Sequence, residues 1–103
     1  MLEKELIKKL AENLRQKLLF VEENKRIRGR MIDLIVKTDT GKTSLIELKR
    51  RVGIPDILRV ASVAREVGEK AIGIIITMDK PPTIIKELAK KYNIIIMQTP
   101  KNS

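Results

Sequence analysis

The sequence predicts a single α/β domain, a mixed central sheet flanked by helices. Two observations predict it: short β-branched apolar runs, and stretches between them whose apolar residues recur at helical spacing. The length agrees. The 103 residues, 43% hydrophobic and 34% charged, suit one core and exclude both disorder and a membrane span. The expected domain runs over 1–103, with a flexible tail at 99–103.

Leu2, Leu6, Leu10, Leu14 and Leu18 recur every fourth residue beside Ile7 and Ala11, which predicts an amphipathic first helix. Leu19-Phe20-Val21-Glu22 reads as a short strand, and Lys25 to Arg30 as a basic connection. Met31 to Val36 is a buried strand interrupted by one acid, Asp33. Asp39-Thr40-Gly41-Lys42 is a turn and Thr43 to Lys49 the returning strand. Gly41-Lys42-Thr43 is not a phosphate loop, since that motif needs glycine where Val36 stands and a helix afterwards.

Gly53 and Pro55 open a second helix, whose apolar face is Ile57, Leu58, Ala61, Ala64 and Val67, and Gly68 ends it. Ala71 to Thr77 reads as a fully buried central strand. Pro81-Pro82 starts a third helix with Ile84, Ile85, Leu88, Ala89 and Tyr92 facing inward, and Ile94 to Met97 is a last strand. The order is αβββαβαβ: a three-stranded meander followed by crossover helices.

What the chain lacks narrows its chemistry. It has no cysteine and no histidine, which excludes disulfides, thiolate nucleophiles, imidazole catalysis and zinc-thiolate sites. Phe20 and Tyr92 are its only aromatic residues, too few for a base-stacking platform. Carboxylates, lysine, arginine and hydroxyls remain, a set that suits hard cations such as Mg²⁺. The N-terminus carries Glu3 and Glu5 rather than the apolar core of a signal peptide, so a cytoplasmic location is expected. Abundant Ile, Lys and Glu lean towards a thermophilic source.

The net charge is +9, and most of it lies between Lys25 and Arg51, where only Asp33, Asp39 and Glu47 oppose nine basic residues. Such a patch attracts a phosphate backbone. Arg26, Arg28 and Arg30 before Asp33, and Arg50 and Arg51 after Lys49, are the candidate phosphate contacts; Arg59 and Arg65 read as ordinary surface charges.

The most informative pattern is Asp33 in one strand and Glu47-Leu48-Lys49 in the next. Each acid interrupts a run that otherwise favours burial, and a buried carboxylate needs a cation or a metal. Residues two apart in a strand share a face, so Glu47 and Lys49 lie together; antiparallel pairing brings Asp33 beside Glu47. Two carboxylates can hold Mg²⁺, which polarises a phosphate and activates water, while an ammonium stabilises the developing charge. The competing reading is a salt-bridged patch, Asp33 or Glu47 paired with Lys49 on a solvated face.

The arrangement resembles the PD-(D/E)XK, restriction-endonuclease-like nucleases. Asp33 matches the first acid and Glu47-Leu48-Lys49 the E-x-K, with the order of helices and strands agreeing over nearly the whole chain. Archaeal Holliday-junction resolvases and Mrr-like nucleases are the nearest in look. The resemblance implies a DNA phosphodiesterase using Mg²⁺, with Mn²⁺ substituting. Asp33, Glu47 and the Leu48 carbonyl would be ligands, Lys49 would assist the water, and Glu12 or Glu5 of the first helix would add a third carboxylate. Two departures stand out: Ile32 precedes the acid in place of proline, and the segment Asp56 to Val60 lacks the glutamine that many relatives carry. With no large insertion to read base sequence, structure-selective or weakly specific cutting is expected, on DNA rather than RNA. A homodimer would cut two strands symmetrically, and a partner protein could supply targeting. The alternatives are a catalytically silent nucleic-acid-binding module of the same fold, or a protein-interaction domain in a repair or mobile-element complex.

Overall fold

A computed structural model of the chain describes residues 3–17 and 19–99. The elements follow the expected order: α1 (Glu3–Arg15), β1 (Phe20–Ile27), β2 (Arg30–Lys37), β3 (Thr43–Lys49), α2 (Ile54–Val67), β4 (Ala71–Thr77), α3 (Thr83–Lys91) and β5 (Ile94–Gln98). They build one mixed sheet in the order β1-β2-β3-β4-β5. The meander β1-β2-β3 is antiparallel, and β3-β4-β5 are parallel through the crossover helices α2 and α3. No helix among the described residues is long and apolar enough to cross a membrane.

The two faces are covered by different helices, as alternating side chains require. On one face Ile7 and Ala11 of α1 pack on Leu34, Val36, Ile46 and Leu48. On the other, Ile57 and Val60 of α2 and Ile85 and Ala89 of α3 pack around Ile75 and Ile94, while Val63 meets Ile32, Ile35 and Leu45. Gly73 lets α2 and β5 come this close. A Cβ there would lie 2.6 Å from both Val60 Cγ1 and Ile94 Cδ1. The sheet extends past α1, which leaves Ile72, Ile95 and Met97 exposed on the α1 side.

Several expectations change. The basic stretch after Glu22 is not a connection: β1 continues to Ile27, and only Arg28-Gly29, both at positive φ, form the turn into β2. Paired with Ile32 and Met31, Lys25 and Arg26 are strand residues because their exposed edge position costs their charges nothing. The central strand is β3; β4 is alternately buried, with Ile72 40% exposed, because α1 does not reach that far. In α2 the buried face is Ile57, Val60 and Val63, and Leu58 and Val67 point outward; in α3, Ile84 is exposed. Of the tail, Thr99 continues the ladder by donating its N–H to the Thr77 carbonyl at 2.9 Å. Leu2, Leu18 and residues 100–103 lie outside the described residues.

Candidate active site

The site forms where β2 and β3 part. Their ladder pairs Leu34 with Ile46 and runs towards the Asp39-Thr40 turn, and the paired register stops before Asp33. There the Asp33 carboxylate accepts the Leu48 N–H at 2.8 Å (Oδ2). The side-chain alternation of β2 breaks at the same point, since Ile32 packs with Ile35 rather than with Leu34. On β1, Asn24 adopts φ 51 and falls out of the pairing between Glu23↔Leu34 and Lys25↔Ile32. A strand irregularity of this kind re-aims a side chain, and here it turns an acid towards the neighbouring strand.

Glu47 is central in β3, between Ile46 and Leu48, and only 4% of it is exposed. Its Oε1 is buried without a hydrogen-bond partner among the described residues. Burial, then the negative charge of Asp33, push its carboxyl from the ordinary carboxylate range up to about 8; Arg59 and Lys49 oppose this less strongly. The pair therefore shares too little positive charge to ionise freely.

Lys49 lies on the same face of β3, as two-residue spacing dictates, yet its ion pair is with neither expected acid. Its Nζ lies 3.8 Å from Asp56 Oδ1, at the start of α2. Among the described residues Asp33 and Glu47 form no salt bridge, which removes the reading of a self-satisfied surface patch. Asp56 is itself anchored: its Oδ2 accepts the Gly53 N–H at 2.8 Å, closing the first turn of the helix. One turn on, Arg59 Nη2 stands 3.5 Å from the same Asp56 Oδ1.

The remaining candidates are dispersed. Arg26 Nη1 donates to the Gly29 carbonyl at 3.0 Å, steadying the hairpin tip, and Arg28 Nε lies 3.6 Å from Glu66 Oε2. Arg30 lines a groove with Asp56 and Arg59. Arg51 Nε donates to Asp79 Oδ2 at 3.0 Å, and Arg50 is exposed while its carbonyl accepts the Thr77 hydroxyl. Glu5 and Glu12 are exposed on α1, and no three acidic side chains converge as a metal cluster among the described residues. The helix buries Ile7 and Ala11 against the sheet, which turns both glutamates to water.

Sequence reasoning missed Asp56 and Arg59. Their spacing of three on a helix was the available signal, since it puts both on one face. Only the packing of Ile57, Val60 and Val63 decides that this face meets β3.

The polypeptide has the restriction-endonuclease-like nuclease fold. Solved structures carry this conclusion: the chain is similar to a repair endonuclease from Pyrococcus abyssi, with a TM-score of 0.78 and 21% identity over 99% of this chain and 48% of that one. It is also similar to EndoMS, both in complex with double-stranded DNA (TM-score 0.73, 20% identity, 97% of this chain and 46% of that one) and in apo form (0.70, 19%, 100% and 48%). The chain thus spans about half the length of each of these proteins. No protein-family model matches the sequence, and neither does any curated protein.

Proposed function

We propose that this chain is a divalent-metal-dependent nuclease module that hydrolyses DNA phosphodiester bonds. The observation that carries the proposal is the Asp33–Glu47 pair: a half-buried and a buried carboxyl side by side, one oxygen of Glu47 unpartnered, and no cation in contact with either among the described residues. A protein tolerates such a pair at a cost of several kcal/mol unless a cation joins it, and hard oxygen donors select Mg²⁺ or Mn²⁺. Asp33, Glu47 and the Leu48 carbonyl are the ligands we assign. Bound there, the ion would polarise the scissile phosphate and lower the pKa of a coordinated water.

The chain's own residues do the rest. Asp33 is oriented by the Leu48 N–H, so its carboxylate cannot swing away from Glu47. Lys49, held by Asp56 on one side, presents an ammonium that orients the attacking water and offsets charge growing on the phosphate. On the α1 side Asp33 borders an apolar pocket lined by Leu6, Ile7, Leu10 and Leu34. The exposed arginines of the β1–β2 hairpin hold the backbone, giving affinity without base reading. Structure-selective cutting by a homodimer is the form we expect, with each copy addressing one strand.

Labelled duplex, flap and four-way-junction DNA incubated with Mg²⁺, Mn²⁺ or EDTA test this directly. Metal-dependent cutting that is lost in Asp33→Ala and Lys49→Ala, both folded, is the expected result. One observation favours the silent binding module instead: among the described residues no third acid joins the pair. Salt-sensitive DNA binding without cutting would select that reading.

A further inference from the structure

Beside the acid pair, a groove of about 550 Å³ runs between the start of β2 and the outer face of α2, lined by Arg30, Pro55, Asp56, Leu58, Arg59 and Ser62. Arg59 is its unusual member. Its side chain is 35% exposed, its Nε is buried with no acceptor, and its guanidinium makes no hydrogen bond among the described residues. The contact with Asp56, at 3.5 Å, is a loose charge contact beyond good hydrogen-bond length. A guanidinium has five N–H donors, and leaving them unmet in a partly dry site costs free energy that an acceptor would recover.

Arg30 faces the same groove and forms no ion pair among the described residues. Asp56 does not make the groove anionic. Its carboxylate is already taken by the Gly53 N–H, Lys49 and Arg59, so Arg30 and Arg59 against Asp56 leave the wall positive. Pro55 and the 43%-exposed Leu58 provide an apolar flank of the kind that packs against a sugar. Two guanidinium groups and an apolar flank lining one groove suit the phosphate and deoxyribose of a DNA strand.

We propose that this groove is a second phosphate-binding site, in which Arg59 and Arg30 hold a DNA backbone phosphate flanking the one beside Asp33 and Glu47. The inference rests on the nuclease reading for the identity of the strand, and it goes beyond that reading by giving α2 a binding role. Asp56 acts as the rest for Arg59 when no strand is present.

The test is binding rather than cutting. Affinity for a short labelled duplex is measured in EDTA over a series of salt concentrations, for wild type, Arg30→Ala, Arg59→Ala, Arg59→Lys and the outward-facing control Arg65→Ala. Circular dichroism checks each variant for folding. Each lost phosphate contact makes the slope of log affinity against log salt shallower by about 0.9. Arg30→Ala and Arg59→Ala should each show that change, Arg59→Lys should restore the slope by keeping the charge, and Arg65→Ala should match wild type. Duplexes carrying one neutral methylphosphonate then locate the contact: the substitution that weakens wild type should leave Arg59→Ala unaffected. A wild-type slope in Arg59→Ala overturns the inference, as does equal sensitivity of Arg65→Ala. Cutting by wild type in Mg²⁺ is read separately. Slopes that change without any cutting keep the groove and reject the nuclease reading, whereas cutting with unchanged slopes does the reverse. If Arg59→Ala fails to fold, Arg30→Ala with the methylphosphonate series decides.

Discussion

Glu47 of β3 and Thr77 of β4 are the two buried polar residues of the sheet, on adjacent parallel strands and near the same end. Thr77 is fully buried and fully used: its hydroxyl lies 3.0 Å from the Arg50 carbonyl and 3.1 Å from that of Asp79. Together with the Met78 and Asp79 N–H groups, which bond the Lys49 and Arg50 carbonyls, it ties the loop after β3 to the loop after β4. Glu47 is nearly as deep, bears an ionisable carboxyl, and leaves Oε1 without a partner among the described residues. One strand position solves its polarity within the protein, and the other leaves it unmet among the described residues. A satisfied buried polar group stabilises, while an unsatisfied one points to chemistry.

Substitution separates the two most sharply. Glu47→Ala should lower metal-dependent cutting by at least about 10²-fold, the usual loss when one electrostatic element of a site is removed. Thr77→Val should leave cutting by the folded protein unchanged, because backbone donors still hold the Lys49 and Arg50 carbonyls. Initial rates on a labelled duplex measure both.

Stability should rank the same residues in the opposite order. Thr77→Val removes the one hydroxyl proton that the Arg50 and Asp79 carbonyls share in a part-buried site and should cost about 1–3 kcal/mol in urea unfolding. Gly73→Ala, on the same face of the same strand, should cost a similar amount, about 1–3 kcal/mol, since Val60 is stiff and cannot retreat from a new Cβ. Glu47→Gln should raise the stability of the metal-free protein at alkaline pH.

The pH dependence of that last effect sharpens the contrast. The Glu47 carboxyl titrates near 4.5 when exposed and near 8 in the folded, metal-free protein. The folded state therefore holds an extra proton between these values. Its contribution is fully present below about 4.5 and is lost as pH rises through about 8. Thermal melts in EDTA should fall across this window for wild type and flatten for Glu47→Gln. Mg²⁺ should raise Tm most at the alkaline end, where it no longer competes with the proton, and should have little effect on Glu47→Gln. Thr77→Val should keep the wild-type pH profile, displaced downward, which makes it the smallest and cleanest of these readouts.

Asp33, Glu47 and Lys49 were legible without any structure because each charge breaks an apolar strand pattern, and such a break is visible in one dimension. Period-2 spacing also put Glu47 and Lys49 on one face. The partner of Lys49 was not legible. Asp56 sits seven residues away on another element, and sequence spacing does not measure the angle at which α2 leaves β3. Arg59 was taken for a surface charge for the same reason. Glu5 and Glu12 were reasonable on resemblance alone, yet the stripe that buries Ile7 and Ala11 carries both glutamates to the wet side. The length of β1 was missed because an edge strand tolerates charge, so its pattern lacks the apolar run that marks β2.

The sequence by itself determined the α/β order, the strand and helix periods, the basic surface and the identity of the paired acids. These follow from local preferences and from the cost of placing charge in apolar surroundings, both written along the chain. Only the tertiary structure decided the sheet order with β3 at its centre, the parting of β2 from β3 that turns Asp33 towards Leu48, and the docking of α2 that brings Asp56 and Arg59 to Lys49. Those contacts depend on how side chains from distant elements fill a shared volume, and that packing has no period along the chain.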